Sequence, residues 1–350
     1  MSRTGMSAAA SVLLVSGAAN ANGPYEFPLR ASDLEYNERY STKDHGGTNQ
    51  TEGKDFGARR HTSGSTWSDL RTDDAGKDAN PDWLIYGKPF YAMASGTVVG
   101  CWRNAPDDPP VGEPEGSDAM PSSGNHLWIR QDDGIYALYA HAKPGGIPPN
   151  LCPHNAASLG SMAITKTTPR MRIEAQVADG ARVEAGDQLG QAGNSGNSGG
   201  PHFHTHMEKD GKPVVMTFKR GMTTSFQGEK GNIDGPWTPL AGKALPNERI
   251  LVWAPRKIGN YTFNGVLSAN YQRMVDHLAD LGMMPELISC KSNGATYDTS
   301  WVPAKGTWAT FHGMSAAEAA AKHADYTAKG YKRTSTFTCG SKSVSVWRKS

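Results

Sequence analysis

From Pro89 to His141 the chain alternates apolar and polar positions in short runs set apart by turn residues. Phe90-Tyr-Ala-Met-Ala, Gly96-Thr-Val-Val-Gly-Cys101, His126-Leu-Trp-Ile-Arg130 and Ile135-Tyr-Ala-Leu-Tyr-Ala-His141 are rich in aromatic and β-branched residues, which fit a pleated, half-buried surface. They predict successive strands of an antiparallel sheet. Two stretches interrupt the pattern, Asn104 to Gly124 and Pro144 to Arg170, both loaded with Pro, Asp, Ser and Asn. They are too long for simple hairpins and are expected to border a binding site.

Further along, the period changes. Tyr271 to Gly282 and Ala316 to Gly330 carry helical spacing and end in glycine. Each is followed by a strand-like run with a cysteine and then a tryptophan. Gly282, Cys290 and Trp301 correspond to Gly330, Cys339 and Trp347 at offsets of 48, 49 and 46 residues, so one helix-strand-strand unit is repeated. Equivalent cysteines in the two copies are well placed to bridge them. His277 and His323 also correspond, but as helix residues beside apolar positions they read as packing or surface histidines without metal spacing. The Pro- and Gly-punctuated segment Gly235 to Glu248 reads as a linker.

Composition adds limits. At 350 residues and 37.5 kDa the chain can hold two domains with their own cores. Lys+Arg 36 against Asp+Glu 34 leaves a net charge of +2, no electrostatic footprint for nucleic acid. Gly 40 and Pro 22, with a mean hydropathy of -0.56, fit a turn-rich, mainly β protein. The N-terminus reads as an export signal: Arg3, an apolar core from Ala8 to Val15 and an Ala19-Asn20-Ala21 cleavage site. That run is too short to span a bilayer, and no later stretch resembles a transmembrane helix. A soluble mature protein, secreted or held in the periplasm or cell envelope, is therefore expected. The four cysteines then suggest two disulfides, and pairing Cys101 with Cys152 and Cys290 with Cys339 is the economical assignment. A zinc site of all four is disfavoured because no two are close in sequence. The expected organisation is a signal peptide over 1–21, a mainly β, antiparallel-sheet domain with long loops over 22–234, a linker over 235–249 and an α+β repeat domain over 250–350.

Candidate chemistry concentrates in Gly193-Asn-Ser-Gly-Asn-Ser-Gly-Gly-Pro201-His202-Phe203-His204-Thr205-His206. Successive side chains of a strand alternate faces, so His202, His204 and His206 share one side and suggest a metal. Five further pieces precede it in order: Gly53-Lys-Asp55-Phe, Gly87 to Val99, Gly124-Asn-His-Leu-Trp-Ile129, Tyr139-Ala-His141 and Val183 to Gly190. From about Thr51 to Met207 this succession resembles the lysostaphin-like zinc metallopeptidases, which cleave peptide cross-bridges and stems of bacterial cell walls. The resemblance implies a duplicated-hybrid-motif β fold and one Zn2+ ion held by Asp55 and His204. It implies catalytic roles for His141 and His202, and peptidoglycan or another glycine-rich peptide as substrate. The C-terminal repeats faintly resemble tandem-repeat modules of secreted bacterial hydrolases.

Two features depart from the family pattern. Thr51 stands where the family has a histidine four residues before the aspartate, and threonine is a poor zinc ligand. About thirty residues, Gly57 to Tyr86, are inserted between Asp55 and the Gly87 piece. His45 or His61 could loop in as the third ligand; His206, about 6.5 Å further along a strand than His204, is expected out of reach. Otherwise the site is degenerate and the domain is a cell-wall binding or regulatory module. The repeats could also carry the main role, as an adhesin or partner-binding module. Asp69, Asp73, Asp74, Asp78 and Asp82 in the insertion are alternatives to Asp55, but no histidine lies four before any of them, and a clustered run of Asp and Asn reads as a solvated loop. His126 is expected to face solvent or a loop, and His154 a surface loop.

Overall fold

The computed structural model describes residues 23–35, 37–47, 50–111, 122–158, 164, 169–226, 238–240, 242–254, 260–280 and 282–349. The expected signal peptide lies outside these residues. Among them, Gly23 to Phe226 together with Thr238 to Ala254 form one unit, and Asn260 onward forms a second. Both are built mainly of antiparallel strands, in the first unit as the alternating pattern predicts.

In the first unit eight strands carry the argument: β1 (Glu38–Asp44), β2 (Lys54–Ser63), β3 (Gly96–Trp102), β4 (Asn125–Gln131), β5 (Tyr136–Ala142), β6 (Phe203–Lys209), β7 (Met222–Ser225) and β8 (Ile250–Trp253). They lie in one sheet in the order β7-β8-β1-β2-β6-β5-β4-β3. The last three expected strands appear within one residue of their expected bounds, as β3, β4 and β5. The first shortens to Pro89–Tyr91 and pairs with Gln188–Gln191 in a separate small sheet.

The core explains the order. Phe56 on β2 and Phe203 on β6 are register partners whose rings stack with centroids 5.8 Å apart, and Phe90 stacks on Phe203 at 4.8 Å. All three are fully buried, which anchors β2 and β6 side by side. The Cys101–Cys152 disulfide ties β3 to the loop after β5.

The segment expected as a linker differs from that reading. Thr238–Pro239 pairs with β7, and β8 pairs with both β7 and β1 in the same sheet. Ile250, Leu251, Val252 and Trp253 are all buried, the run of four apolar residues that a strand covered on both faces requires. Pro239, Gly242 and Pro246 thus punctuate a connection inside the first unit, and its last strand ends beyond the boundary expected at 250.

The second unit contains two copies of strand-helix-strand-strand, one strand more per copy than the sequence repeat suggested. They are Tyr261–Leu267, α1 (Ser268–Asp280), Met283–Lys291 and Thr296–Pro303, then Thr307–Met314, α2 (Ala316–Ala328), Lys332–Cys339 and Lys342–Lys349. Each copy forms a three-stranded sheet with its last strand central. A Ser315 capping box with Glu318 starts α2. The Cys290–Cys339 disulfide joins the copies, as their equivalent positions suggested.

Candidate functional site

The pairing of β2 with β6 sets the site. His204 lies directly opposite Asp55 in the register, and on the other flank of β6 it lies opposite Ala140, next to His141. Directly opposed side chains in a sheet have Cβ atoms about 5 Å apart. The His204 Nδ1 consequently reaches 2.8 Å from Asp55 Oδ1. Both residues are buried on the face opposite the Phe56–Phe203 core.

The third member comes from just past the neighbouring strand. His45 follows β1, whose antiparallel register against β2 sets Lys43 opposite Asp55. Its N–H donates to the Gly53 carbonyl, and its Nδ1 stands 3.2 Å from Asp55 Oδ1. Thr51 is exposed in the turn closed by Gly53 N–H to the Gln50 carbonyl. His61 is not a member: its Nε2 bonds to the Gly64 carbonyl and its ring packs on Trp67. His45, Asp55 and His204 each offer an atom, all within 4.8 Å of one another.

His141 and His202 complete a set of imidazoles around this centre. Their ring centroids are 4.6 Å apart, and His202 Nε2 lies 3.7 Å from Asp55 Oδ1. The glycine-serine loop orients both. His141 Nδ1 lies 2.8 Å from the Ser195 carbonyl, and His202 Nδ1 lies 2.8 Å from the Gly200 carbonyl. A carbonyl only accepts, so each Nδ1 carries the proton and each Nε2 keeps its lone pair. Gly196 allows the loop to close: its φ is +85°, and a Cβ there would lie 2.3 Å from Gly124 N. Asn194, fully buried, fastens the loop by donating to the Asp108 and Pro109 carbonyls, and Asn80 of the insertion lies within reach of the same amide.

Electrostatics follow from burial. Removal from water pushes His141 well below the ordinary imidazole value, helped by the charges of His202 and His204, and His202 is lowered mainly by the same desolvation. For His204 burial outweighs the bond to Asp55, bringing it down to about 3. Burial alone would raise Asp55, but its contacts with the His204 and His45 imidazoles and the charge of His202 outweigh it and hold the carboxyl far below the usual carboxylate range.

His206 stays outside the His45–Asp55–His204 group, as expected, but it touches that group. Two residues along a strand is about 6.5 Å for the backbone, but the imidazoles lean together and His206 Nδ1 reaches 2.9 Å from His204 Nε2. Its Nε2 in turn stands 3.2 Å from Glu208 Oε1. His126 is unlike its expectation: it is 1 % exposed and bonds to the Gly124 carbonyl, because β4 is covered on both faces. His154 does lie at the surface, its ring stacked on Trp102. Of the insertion's acids, Asp69 and Asp73 face Arg59 and Arg60, and Asp74 and Asp78 are exposed.

The donor set fits a divalent metal. From Asp55 through His204 and His206 to Glu208 there are three close contacts, between carboxylates that accept and two imidazoles that carry one proton each when neutral. Two protons cannot fill three contacts. Either a third proton on one imidazole or a cation among His45, Asp55 and His204 would complete the series, and two imidazoles with a carboxylate match the ligand set of hydrolytic zinc sites, which leave one position open. Two clefts flank the cluster, of about 390 Å³ beside Asp55 and His202 and about 430 Å³ beside His45, His141 and His204. Trp83 and Ile85 show that the insertion walls the first.

The profile of peptidase family M23 matches residues 162–216. Among solved structures, a zinc-containing peptidase from Vibrio cholerae is 18% identical, with 54% of this chain and 39% of that chain covered and a TM-score of 0.26. The catalytic domain of the antimicrobial peptidase lysostaphin from Staphylococcus simulans is 18% identical, with 52% and 86% covered and a TM-score of 0.24. A putative glycyl-glycine endopeptidase lytM from Ruminococcus gnavus is 17% identical, with 55% of each covered and a TM-score of 0.27. The chain thus spans well under half the length of the Vibrio cholerae peptidase. No helix among the described residues is long and apolar enough to cross a membrane.

Proposed function

We propose that this chain, which belongs to the lysostaphin-like peptidase family M23, is an exported zinc-dependent metalloendopeptidase acting on peptide bonds of peptidoglycan cross-bridges or stems. The observation that carries this reading is His45 at 3.2 Å from Asp55: an imidazole just past the adjacent strand would stand in for the one missing at Thr51. His45, Asp55 and His204 would hold the ion. When bound, zinc in such a site lowers the pKa of a water ligand to about 7 and polarises the scissile carbonyl.

The chain's own residues would do the rest. His141 and His202, each with Nδ1–H fixed on a loop carbonyl, offer two bare Nε2 atoms to the same space. One would take a proton of the attacking water at its Nε2 and deliver it to the leaving amine; the other Nε2 would accept a hydrogen bond from the second O–H of the same water and so orient it for attack. The glycine-rich loop allows an extended substrate backbone to lie close to both.

The test is zinc content of purified protein measured beside peptidoglycan digestion, with His45→Ala and His204→Ala as controls. Stoichiometric zinc and cleavage, both lost in the controls, support the enzyme. Absence of both in the wild type sinks it in favour of the metal-free binding module that Thr51 suggests.

A further inference from the structure

We infer that His206 and Glu208 are positioning residues that orient the His204 imidazole for the metal, an inference resting on the metal-site reading above. His204, His206 and Glu208 alternate along β6 and stand on one face, each 2 % exposed. The contacts run in series, His204 Nε2 to His206 Nδ1 at 2.9 Å and His206 Nε2 to Glu208 Oε1 at 3.2 Å.

The polarity of the series follows from its end. An ionised carboxylate only accepts, so His206 Nε2 carries the proton and donates to Glu208. His206 Nδ1 is then an acceptor, and His204 Nε2–H donates to it. That leaves the lone pair of His204 on Nδ1, the nitrogen turned towards Asp55 and His45. The relay thereby selects the one tautomer in which His204 can ligate, and fixes the ring's rotation. Trp128, edge-on to His206 at 5.3 Å between centroids, closes the side of the relay. Gly53 leaves the room: a Cβ there would meet His204 Cε1 at 3.1 Å and His206 Cβ at 3.2 Å.

Three variants of the full chain test this: His206→Leu, His206→Asn and Glu208→Gln. Zinc affinity is read by chelator competition, and the thermal midpoint of the metal-stripped protein is read in parallel. Asparagine places an amide oxygen near the imidazole Nδ1 position, so it keeps the acceptor for His204. His206→Leu is expected to weaken zinc binding about 10- to 100-fold. His206→Asn should recover most of that loss, and Glu208→Gln should weaken binding several-fold. Wild-type affinity in His206→Leu or Glu208→Gln overturns the relay, as does an asparagine variant no better than leucine. If His206→Leu fails to fold, the other two variants decide. Failure of the metal-site reading looks different: the wild type itself binds no zinc, or binds it equally after His45→Ala.

Discussion

His45 Nδ1 and Asp55 Oδ1 stand 3.2 Å apart although ten residues separate them in the chain. The relation is made by the β1–β2 hairpin, whose register carries the residue just past β1 back over the start of β2. This gives the first prediction. His45→Ala should lose most of its zinc and at least a hundredfold in turnover, as removal of a zinc ligand leaves an incomplete donor set. Adding Thr51→His to that variant should not restore the metal, because position 51 is exposed in the turn whereas Asp55 is buried. Zinc stoichiometry of the single and double variants checks both statements, and recovery in the double would overturn the turn argument.

A second prediction concerns the loop. Ser198 Oγ donates to Asn194 Oδ1 at 2.6 Å and lies 3.1 Å from His202 Nδ1, so it couples the fastened part of the loop to His202. Ser198→Ala should lower kcat by roughly tenfold through loss of orientation, with KM and zinc content little changed. A KM effect without a kcat effect would point to substrate binding instead.

How far the sequence revealed the site depends on which distances are local. Asp55, His141, His202 and His204 were legible because each sits in a short motif. His45 was legible only as an alternative to His61, since choosing between them requires the β1–β2 register. His206 was rightly left outside the ligand group, but its contact with His204 was not legible because backbone rise along a strand ignores the lean of long side chains, and Glu208 passed unnoticed although the His-x-His-x-Glu alternation puts it on the same face. The linker reading failed for a different reason: Pro and Gly punctuate connections within a domain as readily as between domains. Only the burial of Ile250 to Trp253 separates the two cases.

A third prediction uses His126. Desolvation brings its pKa down to about 4, below the ordinary value of 6.5, so the fold favours the neutral ring. Between those values the unfolded chain binds the extra proton. The contribution to stability is therefore complete above pH 6.5 and is lost as pH falls towards 4, at about 1.4 kcal/mol per pH unit and roughly 3 kcal/mol in all. Urea unfolding at pH 6.5, 5.5 and 4.5 should show a shallower pH slope for His126→Gln by about one proton, whatever its absolute stability. Equal slopes would mean that the ring is not held neutral.

The last prediction concerns the Cys101–Cys152 bridge, which closes a separation of 51 residues and joins a fully buried position on β3 to the loop after β5. Chain-entropy reasoning assigns a loop of this length about 4 kcal/mol, and removal of a native disulfide typically costs 2–5 kcal/mol. The bonds from Arg103 to the Cys152 carbonyl and from Arg103 N–H to the His154 carbonyl would hold the loop only weakly once the bridge is gone. The double variant Cys101→Ala/Cys152→Ala should therefore unfold at a markedly lower urea midpoint. Limited proteolysis should cut it first within residues 144–158. A midpoint within error of the wild type, or first cleavage elsewhere in the unit, would show that the strands position this loop without the covalent tie.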